Sequence, residues 1–170
     1  MISKVLRIPF AALLALSVTL FVMPRAQAAT SYSADECTSA NNSYCFALYY
    51  DSRGEQTNYS TSSCFVTNRS IPDHSGYSPN GAIFVRFVFS HGLMSNLYNT
   101  CRGGSGADLT LKNASASASN GECSAFYRVY FSSSYNGLSQ SFAPSCGDYW
   151  PAENLFPALK NENASNARYY

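Results

Sequence analysis

The chain has 170 residues and a formal charge of +1, with only 12% charged residues against 15% aromatic ones. Without clustered Lys and Arg it has no electrostatic footprint for nucleic acid or an anionic membrane surface. A composition rich in Ser, Asn, Gly, Tyr and Phe gives no 3.6-residue apolar period, which argues against a helical protein.

The chain opens with Lys4 and Arg7, an apolar stretch from Ile8 to Met23, Pro24, and the small-residue pattern Ala26-Gln27-Ala28. This reads as a secretory signal peptide over 1–28, cut after Ala28, because 16 apolar residues fall short of the ~20 needed to span a membrane. Cleavage removes Lys4, Arg7 and Arg25, leaving 8 basic residues (11 − 3) against 10 acidic ones, a charge of −2. A secreted, extracellular protein with no membrane attachment after cleavage is expected. Residues 29–43 form an N-terminal segment ahead of the repeated region.

Strand signals follow. Phe46-Ala47-Leu48-Tyr49-Tyr50, Ala82 to Phe89 and Phe126-Tyr127-Arg128-Val129-Tyr130-Phe131 are short β-branched or aromatic runs bounded by turn-forming residues. Several such runs predict an all-β sandwich. The first and third open Gly-containing turns, at Gly54 and at Tyr135-Asn136-Gly137, where Asn and Gly tolerate positive φ. Each half then closes on nearly the same words: Leu111-Lys112-Asn113-Ala114-Ser115-Ala116-Ser117 returns as Leu159-Lys160-Asn161-Glu162-Asn163-Ala164-Ser165. Such self-similarity marks a duplicated unit, here 44–121 and 122–170. From Tyr49 to Leu111 is 62 residues and from Tyr130 to Leu159 is 29, so the first unit carries an excess of 33. The excess falls at about 64–107, in turn-rich stretches such as Arg102-Gly103-Gly104-Ser105-Gly106. It either presents loops for binding or lengthens strands and covers a sheet edge.

All six cysteines, Cys37, Cys45, Cys64, Cys101, Cys123 and Cys146, lie after the cleavage point, which reads as three disulfides in an exported chain. A zinc site lacks CxxC spacing and has only His74 and His91 to help, so no metal is expected. Six cysteines allow 15 connectivities. Cys64 and Cys146 follow the hairpins of their own halves at similar distance, which favours Cys37–Cys45, Cys64–Cys101 and Cys123–Cys146, with Cys45–Cys64 as an alternative.

Tyr130, Tyr135 and Gly137 carry the aromatic, four residues, aromatic, one residue, glycine pattern that opens a βγ-crystallin Greek-key motif. With Tyr49, Gly54, Leu111 and Leu159 as motif positions, the chain over roughly 44–168 resembles the secreted bacterial βγ-crystallin-like proteins, among them the crystallin-fold metalloproteinase inhibitors. The first unit matches only in part, because its hairpin is two residues shorter and lacks the second aromatic. The resemblance implies two Greek-key motifs in one disulfide-stabilised sandwich. It also directs attention to calcium, which microbial relatives bind through a segment corresponding to 112–117 and 160–165. Here Lys112 and Lys160 stand at the first ligand position and Ala116 and Ala164 at the fifth. Calcium needs six to eight oxygen donors, so no strong calcium site and no cofactor are expected.

Catalysis finds little support. No Ser lies in a G-x-S-x-G setting, no carboxylates are paired for glycoside hydrolysis, and no Gly-rich loop is followed by Lys and a hydroxyl residue. The resemblance implies an inhibitor, which must present a rigid, slowly cut segment. Cys64-Phe65-Val66 is the candidate: a tethered Cys and a large apolar residue of the kind thermolysin-type enzymes favour, with Ser62, Ser63 and Thr67 around it. On that reading Phe65→Asp would abolish inhibition and spare the fold; the alternative is an ordinary buried strand. The competing function is a binding module for cell-surface glycan or protein, using exposed aromatics such as Tyr149-Trp150-Pro151 and Tyr169-Tyr170. A secreted crystallin-like toxin is a third reading, although no basic amphipathic segment supports membrane lysis.

Overall fold

A computed structural model describes residues 28–38, 44–54, 62–90, 101, 103–146 and 152–170. The leader, His91, Arg102 and Tyr149-Trp150-Pro151 lie outside these residues, as does the turn that follows Gly54. Every regular element described is a β-strand: β1 (Ala29–Ser33), β2 (Asp35–Glu36), β3 (Phe46–Tyr49), β4 (Cys64–Thr67), β5 (Gly76–Tyr77), β6 (Ile83–Phe87), β7 (Ser117–Asn120), β8 (Phe126–Ser132), β9 (Asn136–Phe142), β10 (Glu153–Asn154) and β11 (Ser165–Tyr169). The expected strands at Phe46, Ala82 and Phe126 correspond to β3, β6 and β8.

The strands form three sheets, ordered β10-β7-β3-β4-β2, β11-β8-β9 and β1-β6-β5. The first two exchange strands between the halves of the chain. Glu153 and Asn154, late in the second half, pair with Ala118 and Ser117 of the first. Reciprocally, Ile71 of the first half bridges Asn166 of the second, with N–H donated in both directions at 2.8 and 3.0 Å. Each half therefore satisfies backbone groups of the other, and neither sheet is complete alone.

Side-chain alternation builds the core. Phe46 and Leu48 on β3, Phe65 on β4, Tyr127 and Val129 on β8 and Phe142 on β9 are fully buried in one cluster between the two sheets. Phe46 stacks on Tyr127 at 4.3 Å between ring centroids. The intervening residues Ala47, Tyr49, Cys64 and Val66 are buried too, with Cys45, Cys101 and Ala152, on the opposite face of the same sheet. A sheet covered on both faces reads as a continuous apolar run rather than an alternation, which is why Cys64-Phe65-Val66-Thr67 has no exposed position.

The third sheet absorbs the extra length of the first half. β5 pairs antiparallel with β6, and β1 runs parallel to β6 with Ala29 opposite Ile83. Parallel pairing of β1 with β6, and of β2 with β4, draws 29–36 into the fold. The short polar strands gave no apolar signal by which sequence reasoning would have found them.

Disulfides join Cys37 to Cys45, Cys64 to Cys101 and Cys123 to Cys146. The first ties the end of β2 to the start of β3, the second ties β4 to the far end of the insertion, and the third closes the β8–β9 hairpin from behind. No described helix is long and apolar enough to cross a membrane.

Candidate functional site

The Cys64-Phe65-Val66 segment is not presented. All three residues have zero accessible surface, and β4 is hydrogen-bonded to β3 on one side and to β2 on the other. Ser62, Ser63 and Thr67 are buried as well. A protease cleft needs an extended segment with free backbone groups, and reaching this one would require dismantling the sheet. The expectation of an inhibitory segment here is corrected: the apolar pair is the interior of a strand.

The repeated heptads lie side by side where the halves meet. Asn113 N donates to Asn163 O at 2.8 Å, and Asn161 N donates to Ser115 O at 2.9 Å, so corresponding positions of the two copies make reciprocal bonds. Asn113 and Asn161 both have φ near +60°, 58° and 59°, a conformation that Asn tolerates well. Leu111 and Leu159 are fully buried anchors. Ala116 N and Ala164 N donate to the carbonyls of Tyr49 and Tyr130, each at 2.9 Å. The last residue of each copy braces the hairpin of its own half: Ser117 Oγ donates to Asp51 O and Ser165 Oγ to Ser132 O, each at 2.7 Å. Sequence reasoning found the repeat but not this bracing role, for which the common final Ser was the available signal.

In the second hairpin the left-handed residues are Ser134 (φ 59°), Tyr135 (φ 62°) and Gly137 (φ 84°), whereas Asn136 begins β9. Tyr135 N is held by Ser165 Oγ at 3.1 Å, and the Tyr135 ring meets Tyr130 edge-on at 6.0 Å.

Lys112 belongs to this junction. Its ammonium donates to both Asp73 carboxylate oxygens at 3.1 and 3.3 Å and to Ser133 Oγ at 3.1 Å, linking the first heptad to the second hairpin. Burial raises the Asp73 pKa, but hydrogen bonds from Ser75 and from Lys112 outweigh it and hold the carboxyl below its ordinary value. A cation supplied by the chain, and paired with Asp73, therefore stands at the second residue of the first heptad. His74, next to Asp73, is fully buried, with Nε2 2.9 Å from Asn166 Oδ1. Asn166 Nδ2 donates to Arg69 O, so its oxygen faces the ring and Nε2 carries the proton. Burial pushes the His74 pKa down to about 4, against partial opposition from the Asn166 hydrogen bond. His74 is thus a neutral core histidine.

Two of the accessible surfaces combine aromatic and cationic side chains. On the outer face of the β11-β8-β9 sheet, Phe126 stacks on Tyr169 at 5.8 Å, and the Arg128 guanidinium lies over the Tyr169 ring at 5.4 Å. Ser141 Oγ accepts from Arg128 Nε at 3.1 Å and is 3.2 Å from Tyr169 Oη. Phe126 is 40% exposed. Beyond this row, Tyr170 is exposed, with the Arg168 guanidinium 4.8 Å from its ring centroid. The second surface is a cavity of about 330 Å³ lined by Ser75, Phe84, Arg86, Thr110, Lys112 and Asn113. Among the described residues no group of three or more His, Cys, Asp or Glu converges as a metal site. Comparison with known protein families, characterised proteins and solved structures gave no match.

Proposed function

We propose that this is an exported, non-catalytic binding protein built from two βγ-crystallin-like Greek-key units, and that the outer aromatic row of its second unit binds cell-surface glycan. The architecture is supported by the strand order. In each half the last strand returns beside the first, β7 beside β3 and β11 beside β8, as the closing strand of a Greek key does. The third segment of each half crosses to the partner half's sheet. Export is supported by three disulfides.

The observation that carries the ligand reading is the row Phe126, Tyr169 and Arg128. Aromatic faces that could have been buried instead lie on the solvent side of a rigid sheet, beside a guanidinium and the Ser141 hydroxyl. An apolar face with a few fixed polar groups suits a sugar ring, which carries C–H bonds on its face and hydroxyls on its edge. Cosedimentation with chitin, cellulose and peptidoglycan tests it: at least one polymer should retain the protein. Phe126→Ala with Tyr169→Ala should cut retention about tenfold, the equivalent of some 1.4 kcal/mol, at unchanged melting temperature. No retention on any of the three polymers would sink the glycan reading. Metalloproteinase inhibition, implied by the resemblance, would need a segment other than Cys64-Phe65-Val66. Stoichiometric inhibition of a thermolysin-type enzyme without polymer retention would reverse the choice between the two.

A further inference from the structure

We infer that the cavity between the third sheet and the first heptad is a site for an acidic sugar, a uronic acid residue whose carboxylate is taken by Arg86. The cavity falls within the size range of small-ligand pockets. Its walls come from two origins: Phe84 and Arg86 from β6 and Ser75 beside β5, against Thr110, Lys112 and Asn113 of the repeated scaffold. Val85 packs toward the core and Phe87 is buried in it, so alternation turns Phe84 and Arg86 to the other face of β6. Among the described residues no carboxylate lines the cavity. Arg86 is exposed and has no ion-pair partner among the described residues.

The charge balance selects the ligand. Lys112 already directs its ammonium at Asp73 and Ser133, which occupy the three protons it has to donate. It contributes a fixed charge offset by Asp73, and Arg86 is left as one free cation with a planar fork suited to a carboxylate. One net positive charge matches a monoanion better than a phosphate dianion. The Ser75 and Thr110 hydroxyls and the Asn113 amide donate and accept as sugar hydroxyls require, and Phe84 supplies an aromatic wall. This site is separate from the outer aromatic row, and its test stands apart from that reading.

The test is calorimetric titration of the mature protein with oligogalacturonate, with a neutral galactose oligosaccharide of the same length, and with a short peptide bearing a free C-terminal carboxylate. Oligogalacturonate is expected to bind at least tenfold tighter than either competitor, and more weakly as salt rises. Arg86→Gln, at an exposed position, should remove that preference without lowering the melting temperature, while Phe126→Ala with Tyr169→Ala should leave it intact. If Arg86→Gln lowers the melting temperature, Arg86→Lys decides: it keeps the charge but not the bidentate fork, and must lose most of the preference. No binding, equal binding of the neutral sugar, preference for the peptide, or full affinity in Arg86→Gln would each overturn the assignment.

Discussion

His74 is a neutral imidazole sealed between the halves, and its burial has a consequence with a definite sign. Its pKa is about 4 folded against 6.5 for the free side chain. Above pH 6.5 neither state is protonated there and the contribution to stability is fully present. Between pH 6.5 and 4 the unfolded chain takes up a proton that the folded one refuses, so stability falls with pH by roughly 3 kcal/mol, after which this slope ends. Urea unfolding across this range should show the decline, and His74→Gln should flatten it whatever its effect on the absolute level. Asp73, with a lowered pKa, acts in a lower window: its contribution is present above the ordinary carboxyl value of 3.8 and is lost as pH falls through the depressed one. Phe65 belongs to the same scale. With zero exposure in the core between the sheets, Phe65→Asp should leave the protein unfolded in circular dichroism rather than merely inactive, because a buried unpaired carboxylate costs several kcal/mol. Gly106 has φ +84°, and a methyl there would collide with the Tyr50 Cγ and Cβ. Gly106→Ala is therefore expected to lose about 2–4 kcal/mol in denaturant titration, from the left-handed backbone together with overpacking.

The elements that matter most are the heptads, which lead into β7 and β11 and brace the hairpins. Ser165 Oγ both donates to Ser132 O and accepts from Tyr135 N, holding a hairpin whose Ser134 and Tyr135 are left-handed without being glycine. Ser165→Ala should cost about 1–2 kcal/mol, since it leaves two backbone groups short of a partner. It should also raise amide exchange selectively in the β8–β9 turn. Ser117→Ala, which loses one bond to Asp51 O, should cost about half as much. The repeat and its final Ser were legible in the sequence. The bracing was not, because it depends on which carbonyl each Ser reaches after the chain has folded back. The inhibitory segment failed for a related reason: an apolar pair beside a cysteine looks the same in sequence whether the strand lies at an edge or between two neighbours. The positions of β2 and β3 on either side of β4 decide that.

At the scale of the whole molecule, stability rests on closure between distant parts. Ile71 completes a sheet of the second half, β10 completes one of the first, and the buried Cys64–Cys101 bridge closes a loop of separation 37. Replacing both cysteines by Ala should lower stability by about 3–4 kcal/mol, measured by thermal melting. The insertion, visible as an excess of 33 residues, holds strands of its own and does not merely lengthen those of the repeated unit. It supplies β5 and β6, which form the third sheet with β1 of the N-terminal segment, and with the first heptad it lines a cavity.

The strand-rich class, the duplication and the three cystines are legible in the residues alone, since propensity, self-similarity and cysteine count are properties of the chain before it folds. Which apolar residues are accessible emerges on folding, because burial depends on what lies across a strand and not on the strand's own residues. Phe65 passed from presented to enclosed, and His74 is sealed in the core. Tyr169, distant in the chain from Phe126 and Arg128, meets them because β11 returns beside β8.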